Sequence, residues 1–398
     1  MRVTQSSEQT QFLTALDTLQ TNLSNTQNQL STGLQYTLPS QAPAAAGQVD
    51  NFQAVLAQSQ QYTTNANAAQ TSLNTEDTAL TQVTSQLQSL RDLALQANSG
   101  TASNQNLSAL ASQAEQIQQS LVGLANTQDG SGNYIFAGYS SQTQPFALTA
   151  TGASYAGDTG QRQVQIAAGQ TVSAGDSGQA VFNQIKTGNG TFSVTANANN
   201  TGSGLIGAAT VTNPTQYAGG TFSINFSGPA AYQVVNAAGT VVTSGSYASG
   251  QAIAFSGVQV TLSGTPANGD QFSVAPSTDQ SIFTTAQNLV SALQAGVSSP
   301  ASQTQFHNTI AGVIGNIDQA LSNVSTVQSG VGGRLNTIST QLSVATSQQA
   351  QLTQSISSLQ GLDYAKALTD LDSQNTTLSA AMQAYTLTQG LTLFKYIQ

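Results

Sequence analysis

The 398-residue chain carries few side chains able to do chemistry. His307 is the lone histidine, and there is no cysteine. A zinc site or a histidine-based triad therefore has one ligand or base to draw on, where such sites need several converging groups. His307 follows Phe306 in a helical pattern and reads as a surface position on that helix. Asp363, Asp370 and Asp372 could supply paired carboxylates for acid–base work. They read more simply as a helix N-cap at Asp363, with the other two solvated or paired with Lys366. Residues 202–207, GSGLIG, match a dinucleotide-loop pattern, but that site needs a helix to follow, and AATVTNP reads as a strand. Residues 129–133, DGSGN, carry oxygen ligands of a calcium-loop kind, yet position twelve falls on Ser140 instead of Glu, so a turn is expected. No catalytic residue, cofactor site or metal site is expected.

If chemistry is absent, the chain must act by shape. Charged residues make up 6% of it and hydrophobic residues 38%. Ser, Thr, Asn and Gln dominate the remainder. A net charge of −9 opposes phosphate binding, so no nucleic acid is expected as a partner. No run approaches the ~18 apolar residues of a membrane span, so no membrane insertion is expected. The start, MRVTQSSEQTQF, lacks the apolar stretch of a secretory signal peptide.

The ends read as helical. Phe12, Leu16, Leu19, Leu23 and Leu30 keep a heptad seam, with Thr26 in the gap. Gly33 and Pro39 interrupt it, and further helical series run from Val49 to Leu90 and from Leu107 to Leu124, where Asn104 or Asn106 could cap. A long series from Phe306 leads to Leu359, and GVGGR at 330–334 reads as a break in it or as a close helix crossing between subunits. The last helix carries Leu368, Leu371, Leu378, Met382 and Tyr385 and runs on to Leu391, Phe394 and Ile397. From about Ser141 to Asp279 the apolar period drops to two, as in TFSINF at 221–226. There a phase slip at Ser256-Gly257 reads as a bulge, and Asn189-Gly190 and Asn268-Gly269 read as hairpin-type turns.

The expected fold class is therefore α+β: an elongated antiparallel helical bundle or coiled coil built from both termini, with an antiparallel β-rich domain inserted in the middle. The expected domains are 1–45 with 350–398 (terminal coiled-coil helices), 46–140 with 280–349 (helical core) and 141–279 (β-rich outer domain). Many seam positions are Ala, Thr, Gln or Asn. Such a seam buries little apolar area, so the end helices are expected to be marginal alone and completed by neighbouring copies.

Four stretches resemble the bacterial flagellin family. The start through LSTGLQYTLPSQAP is similar to its N-terminal helix, and LDYAKALTDLDSQNTTLSAAMQAYTLTQGLTLFKYI at 362–397 to its C-terminal helix. GNYIFAGYSSQTQPF at 132–146 resembles the strand that leaves the helical core in the branch joining hook to filament, and residues 155–182 the block that follows. Residues 36–47 lack the acidic cluster common in filament flagellins, which again points to the junction branch. A filament flagellin, or a secreted type III tip or adhesin-like binding protein, is the alternative.

The resemblance implies a structural subunit of the tube wall, exported by the flagellar type III route without a cleaved signal and located outside the cell in the flagellum. It implies as partners flagellin, hook-associated protein 1, further copies of the chain in a ring, and an export chaperone on the stripe from Leu368 to Tyr385. The expected assembly-interface residues are Phe12, Leu16, Leu19, Leu23, Leu30, Leu368, Leu371, Leu378, Met382 and Tyr385. Residues 18–32 hold no charge, so the side of that helix with Thr18, Asn22, Asn25 and Gln29 is expected to line the channel.

Overall fold

The computed structural model describes residues 2–99 and 103–394, with side chains over 7–99 and 103–387. Ile397 and the side chains of Leu391 and Phe394 lie outside this range. The chain forms two units, Met1–Thr64 with Gln341–Gln398, and Asn65–Thr340. Among the described residues there are six α-helices: α1 (Arg2–Thr32), α2 (Pro43–Asn98), α3 (Asn104–Ala125), α4 (Ile282–Ala295), α5 (Pro300–Gln360) and α6 (Tyr364–Phe394). Helices α2 and α5 contribute to both units.

In these Ser- and Thr-rich helices many hydroxyls turn back onto the helix's own backbone carbonyls. Thr14 and Thr18 each donate to the carbonyl four residues earlier, at 2.8 Å. Thr369, Thr376 and Thr377 do the same on α6. This satisfies the hydroxyl locally and slightly weakens the helix.

In the first unit α1 pairs antiparallel with α6. Gly33 ends α1 in the left-handed region, φ +70°. The backbone conformation is what favours glycine there, since the nearest atom to a built Cβ is the exposed Tyr364 hydroxyl, which can swing aside. A short bridge links Leu34 to Gly361: the Gln35 N–H donates to Gln360 O at 2.7 Å, and the Leu362 N–H to Gly33 O at 3.0 Å. The turns after α1 and α5 thus brace each other. Asp363 caps α6 as expected, accepting the Lys366 N–H at 3.1 Å.

In the second unit Ser103, not Asn104 or Asn106, caps α3. Asn104 instead clasps Val297, accepting its N–H at 2.8 Å and donating to its carbonyl at 3.0 Å. Helix α5 runs unbroken through GVGGR, and Cβ atoms built on Gly330, Gly332 and Gly333 would meet nothing within 4 Å. The break is therefore absent, and the three glycines leave open space on that stretch of α5.

Residues 134–145 run as turns where a strand leaving the helices was expected. Phe136 anchors them, packing edge-on to Phe182, which also meets Phe146 and Phe283. Small hairpins follow: β1 (Phe146–Thr149) with β2 (Gly152–Tyr155), and β3 (Gln163–Ala167) with β4 (Gln170–Ser173). Then β5 (Ile185–Lys186) pairs with β14 (Asp279–Gln280) at the base of the insert.

Between them lies the main β body. Its strands are β6 (Phe192–Ala196), β7 (Leu205–Val211), β8 (Phe222–Gly228), β9 (Ala231–Asn236), β10 (Val241–Ser246), β11 (Ala252–Phe255), β12 (Val258–Ser263) and β13 (Gln271–Pro276). They form a five-stranded antiparallel sheet, β10-β9-β8-β13-β6, and a three-stranded sheet, β11-β12-β7. Phe222, Ile224, Phe226, Val234, Phe272 and Val274 of the first share one core with Ile253, Phe255, Val258, Val260 and Leu262 of the second. The period-two residues of each strand thus meet face to face in a sandwich.

The Ser256-Gly257 slip is a two-residue hairpin, not a bulge. Both residues have positive φ, 42° and 79°, and Phe255 pairs with Val258. GSGLIG runs into strand β7, as its sequel implied. Asn268-Gly269 joins strands of different sheets, and Asn189 forms a side-chain turn, accepting the Thr191 and Phe192 N–H groups at 3.0 and 2.9 Å; neither closes a hairpin.

Three asparagines on one side of α5 hold the insert by its backbone. Asn308 accepts the Ile206 N–H at 2.8 Å and donates to Gly204 O at 2.9 Å. Asn316 accepts the Gly188 N–H at 2.9 Å. Asn323 donates to Ala180 O and Val181 O at 3.1 and 2.9 Å.

Candidate assembly surface

The α1–α6 pair is where the expected interface residues converge. On α1 the seam is Phe12, Leu16, Leu19, Leu23, Thr26 and Leu30, at intervals of 4, 3, 4, 3 and 4, and all but the buried Thr26 are half-buried. The same intervals on α6 select Ala367, Leu371, Gln374, Leu378, Ala381 and Tyr385. The Phe12 and Tyr385 rings stack with centroids 5.3 Å apart and planes 11° from parallel.

Leu368 and Met382 therefore do not join this seam. Each lies one residue beyond an alanine that does, and they are 57% and 52% exposed. One residue is about 100° around a helix, which is enough to turn a side chain off the seam. Alanine takes those places because a closely approached helix pair leaves room for small side chains. The sequence reading followed the largest apolar residues and missed Ala367 and Ala381. The intact heptad spacing was the signal that could have found them.

The seam is weak by construction. A half-buried leucine contributes about 1 kcal/mol, half of its value on full burial. Buried Thr26 supplies only a methyl to it, its hydroxyl bonding back to Asn22 O at 3.1 Å. The Oε1 of Gln374 is buried with no hydrogen-bond partner. An orphaned acceptor of that kind costs about 1–3 kcal/mol, more than a neighbouring half-buried leucine returns. Around the seam, Leu13, Tyr364, Leu368, Met382 and Leu387 stand exposed. The first unit thus leaves apolar side chains on the outer faces of two helices whose own contact is thin.

Thr18, Asn22 and Asn25 are exposed on the uncharged side of α1. Gln29 is half-buried, its amide bonding to Gln35 O, so it belongs to the turn instead.

The residues singled out for chemistry do not assemble into a site. His307 is half-buried, with its Nδ1 2.7 Å from Asn98 Oδ1. Among the described residues, no group of three or more His, Asp or Glu could hold a metal ion. No helix searched is long and apolar enough to cross a membrane. Asp129 is a turn residue whose Oδ1 accepts the Ser131 and Asn133 N–H groups at 2.8 and 3.0 Å.

Residues 3–141 match the profile of the bacterial flagellin N-terminal helical region, and 314–397 that of the bacterial flagellin C-terminal helical region. Residues 195–276, most of the sandwich, match the D2-like domain of flagellar hook-associated protein 1. The chain is 36% identical to flagellar hook-associated protein 3 of Salmonella typhimurium over 157 residues, 39% of this chain and 49% of that protein. It thus spans about half the length of the curated relatives it matches. Among solved structures it is similar to FlgL of Xanthomonas campestris, with 31% identity, a TM-score of 0.73, and coverage of 77% of this chain and 99% of the other. It is also similar to hook-associated protein 3 of Legionella pneumophila, at 27% identity, a TM-score of 0.75 and coverage of 78% and 98%.

Proposed function

The chain belongs to the flagellar hook-associated protein 3 (FlgL) family, and from that premise we propose that it is a structural subunit of the bacterial flagellum, placed where the hook meets the filament. It works by packing of its terminal helices and not by catalysis. The observation that carries this reading is the α1–α6 pair, whose thin seam and exposed Leu13, Leu368, Met382 and Leu387 leave apolar surface unused in the lone chain. Copies of the chain in a ring, hook-associated protein 1 on one side and flagellin on the other are the neighbours that would cover it. Before assembly, a type III export chaperone would cover the Leu368 and Met382 face as a helix-in-groove contact. The chain leaves the cell by the flagellar export route without cleavage. The helical parts from 1–45 with 350–398, and 46–140 with 280–349, form the wall. Residues 141–279 face outward, and Thr18, Asn22 and Asn25 face the channel. An uncharged hydroxyl and amide lining gives passing unfolded chains neither fixed charge nor apolar patch to hold them.

The test is a strain lacking the gene. It is expected to keep its hooks and shed unpolymerised flagellin into the medium, with filaments restored by the full chain. Normal filaments on the deletion strain would overturn the reading.

A further inference from the structure

In the second unit, a carboxyl group on α2 is sealed where a loop of the insert meets α5. Glu76 is 1% exposed. Its Oε1 accepts the Asp176 N–H at 3.2 Å, and its Oε2 has no donor to accept from. The Asp176 carboxylate lies within hydrogen-bond reach of Glu76 and is already engaged. Its Oδ1 accepts from the Gln161 amide at 2.8 Å, and its Oδ2 pairs with the Arg334 guanidinium of α5. Arg334 also donates to Ser173 O at 3.4 Å. Asp129, Arg162 and Tyr134 line the small cavity beside Asp176 and Gly175, and Asp77 is the next residue of α2.

Of the two guanidiniums nearby, Arg162 acts on Asp129, which leaves Arg334 to face the Glu76 and Asp176 carboxyl groups. If both were ionised, the sealed site would hold an uncompensated negative charge next to a carbonyl-rich loop, which is costly. If Glu76 keeps its proton, the charges balance, and its carboxyl O–H can donate to the neighbouring Asp176 carboxylate. A Cβ on Gly175 would lie 3.7 Å from Glu76 Oε2, so the loop backbone closes over it.

We propose that Glu76 is held as a neutral carboxylic acid and acts as a proton-dependent latch joining α2, the 173–178 loop and α5 through Asp176 and Arg334. The latch is firm in acid and slackens as protons become scarce. Burial, then the Asp176 charge, raise the Glu76 pKa from 4.5 to about 8, against the lowering effect of Arg334. In the opened loop Glu76 meets water and titrates at the ordinary 4.5. The closed state therefore binds one proton more between 4.5 and about 8, and each pH unit in that window favours opening by up to about tenfold. Above about 8 both states are ionised and the dependence levels off.

The experiment is hydrogen–deuterium exchange of the full chain across that window, with opening constants for the 173–178 amides corrected for intrinsic exchange, in the wild type and in Glu76→Gln. The amide variant keeps a donor and cannot titrate. A wild-type opening constant that climbs by about a hundredfold over two pH units, beside a flat Glu76→Gln curve, supports the latch. Parallel curves overturn it. Infrared difference spectroscopy at neutral pH reads the proton directly and does not depend on the variant folding well. A neutral-acid carbonyl band in the wild type is expected, and its absence overturns the proposal.

Discussion

Where α1 meets α6, every described apolar side chain larger than alanine keeps part of its surface in water; in the β sandwich, Phe192, Ile224, Val234, Val258, Val260, Leu262, Phe272 and Val274 keep none. Both regions use a strict apolar period, seven in one and two in the other. The difference is what lies opposite. The sandwich has two faces of its own to close. The helix pair has one seam and several outer faces, and exposed leucines on those faces. A region that closes its own core can stand alone, and one that does not is unfinished until another molecule arrives.

Three variants, one of them double, test that contrast. The largest effect is expected in the sandwich. Phe272→Ala empties a site between Phe226, 5.9 Å away by ring centroids, and the Gly204 backbone, and should cost about 3–5 kcal/mol in chemical denaturation of the insert. A loss below about 1 kcal/mol would mean the sandwich core is not closed. Next is Tyr385→Ala, which removes the stack on Phe12. The lone chain should lose about 0.5–1.5 kcal/mol from its terminal-helix transition. Smallest is Leu368→Ser combined with Met382→Ser. Both residues are already exposed, so the lone chain should change by less than about 0.5 kcal/mol, while incorporation into filaments in a complemented deletion strain should fall. Normal incorporation with those two serines would show that this face meets no partner, and the contrast would then describe stability alone.

Much of this was legible from residue order. The heptads of α1, the helical series on either side of the insert and the alternation in TFSINF mark which elements form, because side-chain period follows backbone geometry. Other features were read wrongly for local reasons. The Ser256-Gly257 slip looks the same in a bulged strand as in a tight hairpin, since both shift the alternation by one. On α6 the stripe through Leu368 and Met382 lies beside the α1 seam, where a close helix pair favours the small Ala367 and Ala381, and the sequence pattern does not separate the two faces. The α5 amides of Asn308, Asn316 and Asn323 looked like ordinary surface polarity, and only the backbone groups facing them give them a task.

By itself, the sequence determined that helices flank a β region, that the terminal seam is thin, and that catalytic groups are scarce. These follow from local periodicity and from counts, which need no partner to be read. Tertiary structure alone decided which face of α6 meets α1, which strands share a sheet and that Glu76 is sealed beside Asp176 and Arg334. Those outcomes join residues from about ten to more than three hundred positions apart, and burial, unlike period, depends on what the rest of the chain brings alongside.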